Sequence, residues 1–230
     1  MGNQVDANKT DDSVQGVLSS NPVAIPTVAI ANRPQPSLAY MLEVSLDVSG
    51  GLFIFKYTGL WKKRLDAATG PAKHAQFLAW VAGEVQQPTP ATSFDSFDPT
   101  ANNRKPSKMS FNCKELIYLV IKLAPGINWR FTADAPPISM DKIWQNRDVF
   151  FNASNLDERG IPTAPAKNNA FKYACVIVDC PKGVPGGPIP TGIEARFNLH
   201  VDLMEGLKND APYVPIIIDP DVRNPGGGGG

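Results

Sequence analysis

The strongest constraint on the fold is a strict alternation of apolar and polar residues over residues 195–203. Residues 42–48 and 127–133 show the same pattern. Because successive side chains of a β-strand point to opposite faces, this alternation predicts strands with one apolar and one polar face. More continuous apolar segments indicate further, more enclosed strands at residues 52–57, 149–151, 171–178 and 214–218.

Proline and glycine limit the alternatives to a β fold. The chain contains 22 prolines and 19 glycines, and each proline inside a helix costs about 3 kcal/mol relative to alanine. Pro136-Pro137 and residues 183–192 fit long loops. We therefore predict an all-β protein, a two-sheet β-sandwich (Ig-like or jelly-roll-like) with long Pro/Gly-rich loops and at most one or two short helices.

Two segments fit either a helix or a strand. Asn112 and Glu115 have the spacing of a helix capping pair, yet residues 116–123 are also typical of a buried strand. Residues 74–85 likewise fit a short helix or an aromatic strand. Short apolar segments do not distinguish the two, so both assignments stay open.

Composition divides the chain into three parts. Residues 1–36 lack periodicity and end in a proline-rich stretch, which predicts a mobile or strap-like N-terminal arm. Residues 37–224 form the predicted β-sandwich domain. Residues 225–230 are a proline followed only by glycines, which predicts a disordered tail.

Charge and targeting signals restrict the partners. Because 22 Lys and Arg balance 22 Asp and Glu, the zero net charge argues against a nucleic-acid partner. No apolar stretch approaches the roughly 18–20 residues of a membrane span, and residues 1–21 lack a signal-peptide pattern. We therefore expect a cytoplasmic protein without a membrane partner. Three cysteines are too few for a disulfide framework.

The candidate reactive residue is His200. It lies between Asn198 and Asp202 on the polar face of its predicted strand, where a carboxylate could orient it as a general base. A surface histidine on a polar face fits the same pattern. No Gly-x-Ser-x-Gly motif supplies a nucleophile for it.

The other candidates are weaker. Asp219 and Asp221 could offer oxygen ligands to a metal ion, although Asp-Pro after a strand is ordinary turn chemistry. Trp61 and Trp144 could form a binding platform for a sugar. We predict no cofactor, because the glycine-rich residues 183–192 lack a Lys-Ser/Thr ending and contain prolines without amide donors.

One resemblance concerns the C-terminal part of the chain. Residues 197–203, followed by residues 215–222 with Asp219-Pro220, resemble the closing strand pair of the bacterial inclusion-body protein family that includes AidA and PixA. The resemblance covers residues 171–222. It implies a cytoplasmic β-sandwich that self-associates and has no catalytic residues to transfer.

Three functions follow as hypotheses. The first is a non-catalytic protein that acts through self-association or protein binding, as a homo-oligomer or with a protein partner. The alternative is a ligand-binding or hydrolytic enzyme with a site around His200 and Asp202. The third is a carbohydrate-binding module.

Overall fold

The computed structural model describes residues 23–29, 35–49, 52–87, 108–110, 116–140, 150–164, 171–179, 194–206, 211–218 and 221–223. Within these ranges the chain forms β-strands and one α-helix. The strands are β1 (Val23–Ala24), β2 (Leu38–Ser49), β3 (Leu52–Arg64), β4 (Lys108–Ser110), β5 (Ile117–Leu123), β6 (Trp129–Phe131), β7 (Ile138–Met140), β8 (Phe150–Leu156), β9 (Pro162–Thr163), β10 (Tyr173–Val178), β11 (Glu194–Met204), β12 (Tyr213–Ile218) and β13 (Asp221–Arg223). The helix, α1, spans Gly70–Glu84.

The strands belong to two sheets. Sheet I is built around β11, which pairs with β7 and β6 on one side and with β12 and β13 on the other. β1 extends this sheet beyond β7, and β4 extends it beyond β13. Sheet II has the order β3-β2-β5-β10-β8-β9, and its β2–β5 pair is parallel.

The sheets pack face to face around one hydrophobic core. Leu42 and Ile121 of sheet II and Phe197 and Val201 of sheet I belong to this core and are almost completely buried. Leu42, Phe197 and Val201 come from predicted strands, and Ile121 comes from the segment that fitted either a helix or a strand. The prediction of an all-β, two-sheet sandwich is therefore confirmed.

Helix α1 covers the other face of sheet II. Thr69 caps it by accepting a hydrogen bond from the Ala72 amide at 3.3 Å. Phe77 and Val81, one turn apart on the helix, are buried against the sheet. The Phe77 ring stacks on Tyr118 of β5 with centroids 3.9 Å apart. Helix α1 therefore covers sheet II and does not cover the outward face of sheet I.

The two ambiguous segments take different structures. Residues 117–123 form β5, a strand hydrogen-bonded to both β2 and β10 and buried along its whole length. Because both of its faces are apolar, its sequence carries no period of two. Residues 74–84 are helical as part of α1. A helix fits this sequence because only the face that bears Phe77 and Val81 packs against the sheet and needs apolar residues.

Part of the predicted N-terminal arm lies against the sandwich. β1 pairs with β7, and Ile25 is buried in the core. The Asn152 side chain accepts a hydrogen bond from the Val28 amide at 2.7 Å and donates one to the Val28 carbonyl at 3.0 Å. Residues 23–29 thus contact both sheets. The boundaries of the three-part division remain predictions, and residues 225–230 lie outside the described residues.

Candidate functional site

Polar side chains occupy the outward face of sheet I, which is turned away from the core. In β11 the odd-numbered residues of 197–201 belong to the core, so Asn198, His200 and Asp202 point outward. Asn198 is only 1% exposed, Asp202 is fully buried and His200 is half-buried. The expectation of a solvent-facing polar face is therefore wrong: these residues form a buried polar layer.

Neighbouring strands contribute two more members. Ser139 of β7 is paired directly with Asn198, and Arg130 of β6 is paired directly with Asp202. His200 lies between these two cross-strand pairs. We call Arg130, Ser139, Asn198, His200 and Asp202 the outward polar cluster.

The shortest contact in the outward polar cluster joins His200 and Ser139. Ser139 Oγ lies 2.7 Å from His200 Nε2, well within hydrogen-bond range. The Asn198 side-chain amide donates to the same Ser139 oxygen at 3.5 Å. In the tautomer that carries its proton on Nδ1, His200 Nε2 accepts a hydrogen bond from the Ser139 hydroxyl, and that hydroxyl can then pass its proton to Nε2.

The environment of His200 favours this arrangement. Burial lowers the pKa of the His200 imidazole below its ordinary value of 6.5. The ring is therefore neutral at pH 7, and a neutral imidazole has one nitrogen that accepts a hydrogen bond. His200 can act as a general base without first losing a proton.

A buried ion pair lies next to His200. Arg130 Nε is 3.2 Å from Asp202 Oδ2, and both side chains are almost completely buried. Within the described part of the chain, Asp202 Oδ1 has no hydrogen-bond partner. A buried carboxylate oxygen without a donor is costly, so a ligand donor would pair favourably with this atom once the groups that bury it move.

The predicted pairing of His200 with Asp202 does not occur. Two residues apart on one face, they are about 7 Å apart along the strand. Among the described residues, His200 bonds to Ser139 and Asp202 to Arg130. His200 and Asp202 thus share a site but do not form a base–carboxylate pair.

An exposed tyrosine lies at the edge of the outward polar cluster. Tyr213 of β12 is paired with Met204 of β11 and shares its outward face. Its hydroxyl donates to Asp134 Oδ2 at 2.5 Å, and its ring centroid lies 5.5 Å from the Arg130 guanidinium carbon. The hydrogen bond to Asp134, together with the charge of that carboxylate, raises the pKa of the Tyr213 hydroxyl.

The remaining predicted binding residues do not join this site. Trp61 lies in β3 of sheet II, where it packs against the buried residues under α1. The next residues, Lys62, Lys63 and Arg64, are exposed at the end of the same strand. Trp144 lies outside the described residues. The structure therefore brings His200 and Asp202 together and separates Trp61 from them.

The predicted metal ligands are described only in part. Asp219 lies outside the described residues, and Asp221 is in β13, where its backbone pairs with Arg196 of β11 and Lys108 of β4. Over the described ranges, no group of three or more His, Cys, Asp or Glu side chains is arranged to hold a metal ion. The metal site at these aspartates stays a prediction.

Sequence reasoning missed Ser139 and Arg130 as site residues. Each is the polar centre of a three-residue strand between apolar neighbours, Ile138–Met140 and Trp129–Phe131. That pattern places them on an outward face but does not say which strand lies alongside. Only the register with β11 brings them to His200 and Asp202.

Comparison with known proteins identifies a family. The model of the pNTSase1 family, described as "predicted novel nucleotide synthetase", matches residues 62–227, which include the whole outward polar cluster and Tyr213. No curated protein matches the chain. Among the described residues, no helix has the length and apolar character needed to cross a membrane.

The family match corrects several predictions. The resemblance to the inclusion-body family is wrong, because the matching family is a different one. The family is described as predicted nucleotide synthetases, which are enzymes, so the preference for a non-catalytic, self-assembling protein over an enzyme is also wrong. Neither hydrolysis nor carbohydrate binding is the activity in the family's description. The expected oligomer or protein partner stays a prediction.

Proposed function

The chain belongs to the pNTSase1 family of predicted nucleotide synthetases, and on this premise we propose that it is a nucleotidyl-transferring enzyme whose active site is the outward polar cluster. The reaction would transfer the nucleotidyl group of a nucleoside triphosphate to an acceptor hydroxyl and release pyrophosphate. The observation that carries the proposal is the 2.7 Å contact between Ser139 Oγ and His200 Nε2. It places a hydroxyl against a half-buried, neutral base.

In the first step Ser139 is the nucleophile. Its Oγ attacks the α-phosphorus, and its proton passes to His200 Nε2. A bond forms between Oγ and the α-phosphorus while the bond from that phosphorus to the leaving pyrophosphate breaks. The product is a nucleotidyl-serine and a protonated His200.

The second step regenerates the enzyme. The acceptor hydroxyl attacks the same phosphorus and loses its proton to solvent, and the bond from phosphorus to Ser139 Oγ breaks. The imidazolium of His200 returns its proton to the departing oxygen. Over the two steps one triphosphate and one acceptor hydroxyl give the nucleotidylated acceptor, pyrophosphate and one proton.

The neighbouring ion pair suits a nucleotide substrate. Arg130 holds Asp202 through Oδ2, and Oδ1 remains an acceptor without a donor. Carboxylates accept hydrogen bonds from ribose hydroxyls at other nucleotide sites. Ser139 is only 4% exposed, so the residues around it must move before a phosphate reaches Oγ.

The location forms part of the same proposal. The cytoplasmic location expected from the sequence would give the enzyme direct access to the nucleoside triphosphate pool.

The test is product formation from each of the four ribonucleoside triphosphates with Mg²⁺ and glycerol, an alcohol that supplies the acceptor hydroxyl. Pyrophosphate release is measured together with the intact mass of the protein. We expect turnover with at least one triphosphate and an increase in protein mass by one nucleotidyl group. Ser139→Ala should abolish the mass increase, and His200→Gln should lower kcat by about 10²–10⁴-fold.

The matched control is His74→Gln. His74 is the other histidine of the chain, and it lies on α1, where it contacts Tyr118 at 3.0 Å. This variant should keep the wild-type rate. Absence of turnover with all four triphosphates, or full activity of His200→Gln, would contradict the proposed function.

A further inference from the structure

Tyr213 is an aromatic residue exposed beside a buried polar site. It is 39% exposed, and it lies on the outward face of sheet I. Two residues further along β12 on the same face is Pro215, which pairs with Asp202. The ring therefore borders the outward polar cluster and contacts solvent.

Two contacts hold the Tyr213 ring in place. The hydroxyl is anchored to Asp134 Oδ2 at 2.5 Å, and one side of the ring faces Arg130 at 5.5 Å. Arg130 is itself fixed by its ion pair with Asp202. An exposed aromatic side chain held at its tip and on one face loses little further freedom when a ligand packs on it, which favours binding.

The position of the ring relates it to His200. The backbone of Tyr213 pairs with Met204. Its ring contacts Arg130, whose backbone pairs with Asp202. The ring thus leans along the sheet toward the row of Asp202. That row is two residues from His200, a distance of about 7 Å along β11.

We propose that Tyr213 is the stacking platform for the base of the nucleotide substrate. The inference rests on the proposed function for its choice of ligand. With the base on Tyr213, the ribose lies near Asp202 and the phosphates extend toward Ser139 and His200. Stacking on an aromatic ring accepts any base, because every base has a π-face. The larger face of a purine should bind more tightly than that of a pyrimidine.

The test compares ligands with and without a base. The probes are α,β-methylene-ATP and α,β-methylene-CTP, which resist attack at the α-phosphorus, and inorganic tripolyphosphate, which has no base. Binding to the full-length protein is measured by titration calorimetry. Tyr213→Ala should weaken binding of α,β-methylene-ATP by about tenfold or more and leave binding of tripolyphosphate unchanged. Wild-type protein should prefer the purine probe.

Two further variants control the test. Tyr213→Phe keeps the ring and loses the hydrogen bond to Asp134, so its affinity for the purine probe should stay within about threefold of wild type. Val214→Ala changes the neighbouring residue of β12, which is 52% exposed and pairs with Leu203 on the other face. This variant should bind all three probes as wild type does. If Tyr213→Ala fails to fold, Tyr213→Leu replaces it and carries the same expectation.

The outcomes separate the two proposals. Unchanged binding of α,β-methylene-ATP by Tyr213→Ala, an equal loss of tripolyphosphate binding, or no binding of either nucleotide probe by wild type would overturn the platform. Turnover by wild type alongside unchanged binding in Tyr213→Ala would overturn the platform and leave the proposed function in place. Base-dependent binding through Tyr213 without turnover would support the platform and overturn the proposed function.

Discussion

Arg130 and Asp202 face each other directly across β6 and β11, with Arg130 Nε 3.2 Å from Asp202 Oδ2. Both side chains are almost completely buried. Such a pair offsets the cost of removing two charges from water only while both partners are present. It therefore positions the outward polar cluster and makes the fold sensitive to the loss of either charge.

The first prediction concerns this ion pair. Asp202→Asn removes the Asp202 carboxylate from the buried Arg130 charge and should lower the free energy of unfolding by about 3–5 kcal/mol. The double variant Arg130→Met, Asp202→Leu removes both charges and should recover most of that loss. Denaturant unfolding measures the free energy of unfolding of both variants.

As a control, Arg159→Ala removes an exposed partner of Asp157 and should lower the free energy of unfolding by less than about 1 kcal/mol. A double variant as unstable as Asp202→Asn would refute this account.

The second prediction concerns pH. Burial lowers the pKa of His200 in the folded state, so below its ordinary value of 6.5 the unfolded chain binds a proton that the folded chain does not. The free energy of unfolding should therefore fall as the pH decreases from 7 through 6.5 toward the folded pKa. His200→Gln should make this dependence shallower, and His74→Gln should do the same, because burial also lowers the pKa of His74. Unfolding curves at pH 5 to 8 test this, and an unchanged dependence in both variants would contradict it.

The same lowered pKa predicts the pH profile of the proposed reaction. If neutral His200 is the base, the acid limb of kcat/KM should have its midpoint below pH 6.5. The rate should be constant between that limb and neutral pH. A midpoint at 7 or above would exclude His200 as the base that titrates.

The fourth prediction concerns Cys175. Burial in β10 raises the pKa of its thiol to about 11, although Ser154 contacts the sulfur at 3.3 Å. Because only the thiolate reacts with alkylating reagents, native Cys175 should resist iodoacetamide at pH 8 and react once the chain is unfolded. Cys175 and Cys180 lie on one tryptic peptide, residues 173–182, so cleavage before Asp179 separates the two sites for mass spectrometry. Rapid modification of Cys175 itself in the native protein would be inconsistent with the structure.

The fifth prediction compares two glycines. Gly160 has a φ of +74°, and an added Cβ would lie 2.8 Å from Val81 Cγ1 and 2.9 Å from the Ala82 amide nitrogen of α1. Gly160→Ala should therefore lower the free energy of unfolding by about 1–3 kcal/mol. Gly83 lies in the same helix with nothing within 4 Å of an added Cβ, so Gly83→Ala should stabilise by about 0.5–1 kcal/mol. Thermal unfolding of both variants checks the opposite signs.

Sequence patterns predict the strands best where one face is apolar and the other polar. The alternation over residues 195–203 corresponds to β11, the central strand of sheet I. The pattern over residues 127–133 predicts a longer strand than β6, which spans only Trp129–Phe131. Backbone hydrogen bonds to a neighbour define a strand, and the side-chain pattern does not contain them. β5 illustrates the converse, since a strand buried on both faces carries no period at all.

The erroneous family resemblance has a physical cause. Residues 197–203 alternate because β11 has one core-facing side, and Asp-Pro after a strand is common turn chemistry. Both features arise in unrelated β-proteins for the same reasons. They therefore support the sandwich fold but carry no information about ancestry or activity.

For this protein the sequence alone determines an all-β sandwich and places His200 and Asp202 on one face of one strand, because alternation along a strand is a local property of the backbone. The tertiary structure decides what these residues contact. Ser139 is 61 residues from His200 in the chain, and Arg130 is 72 residues from Asp202. The pairing of β6 and β7 with β11 joins these distant segments, and it also decides that a face of polar side chains is buried. Register depends on hydrogen bonds and packing between strands, so no local pattern could have specified these contacts.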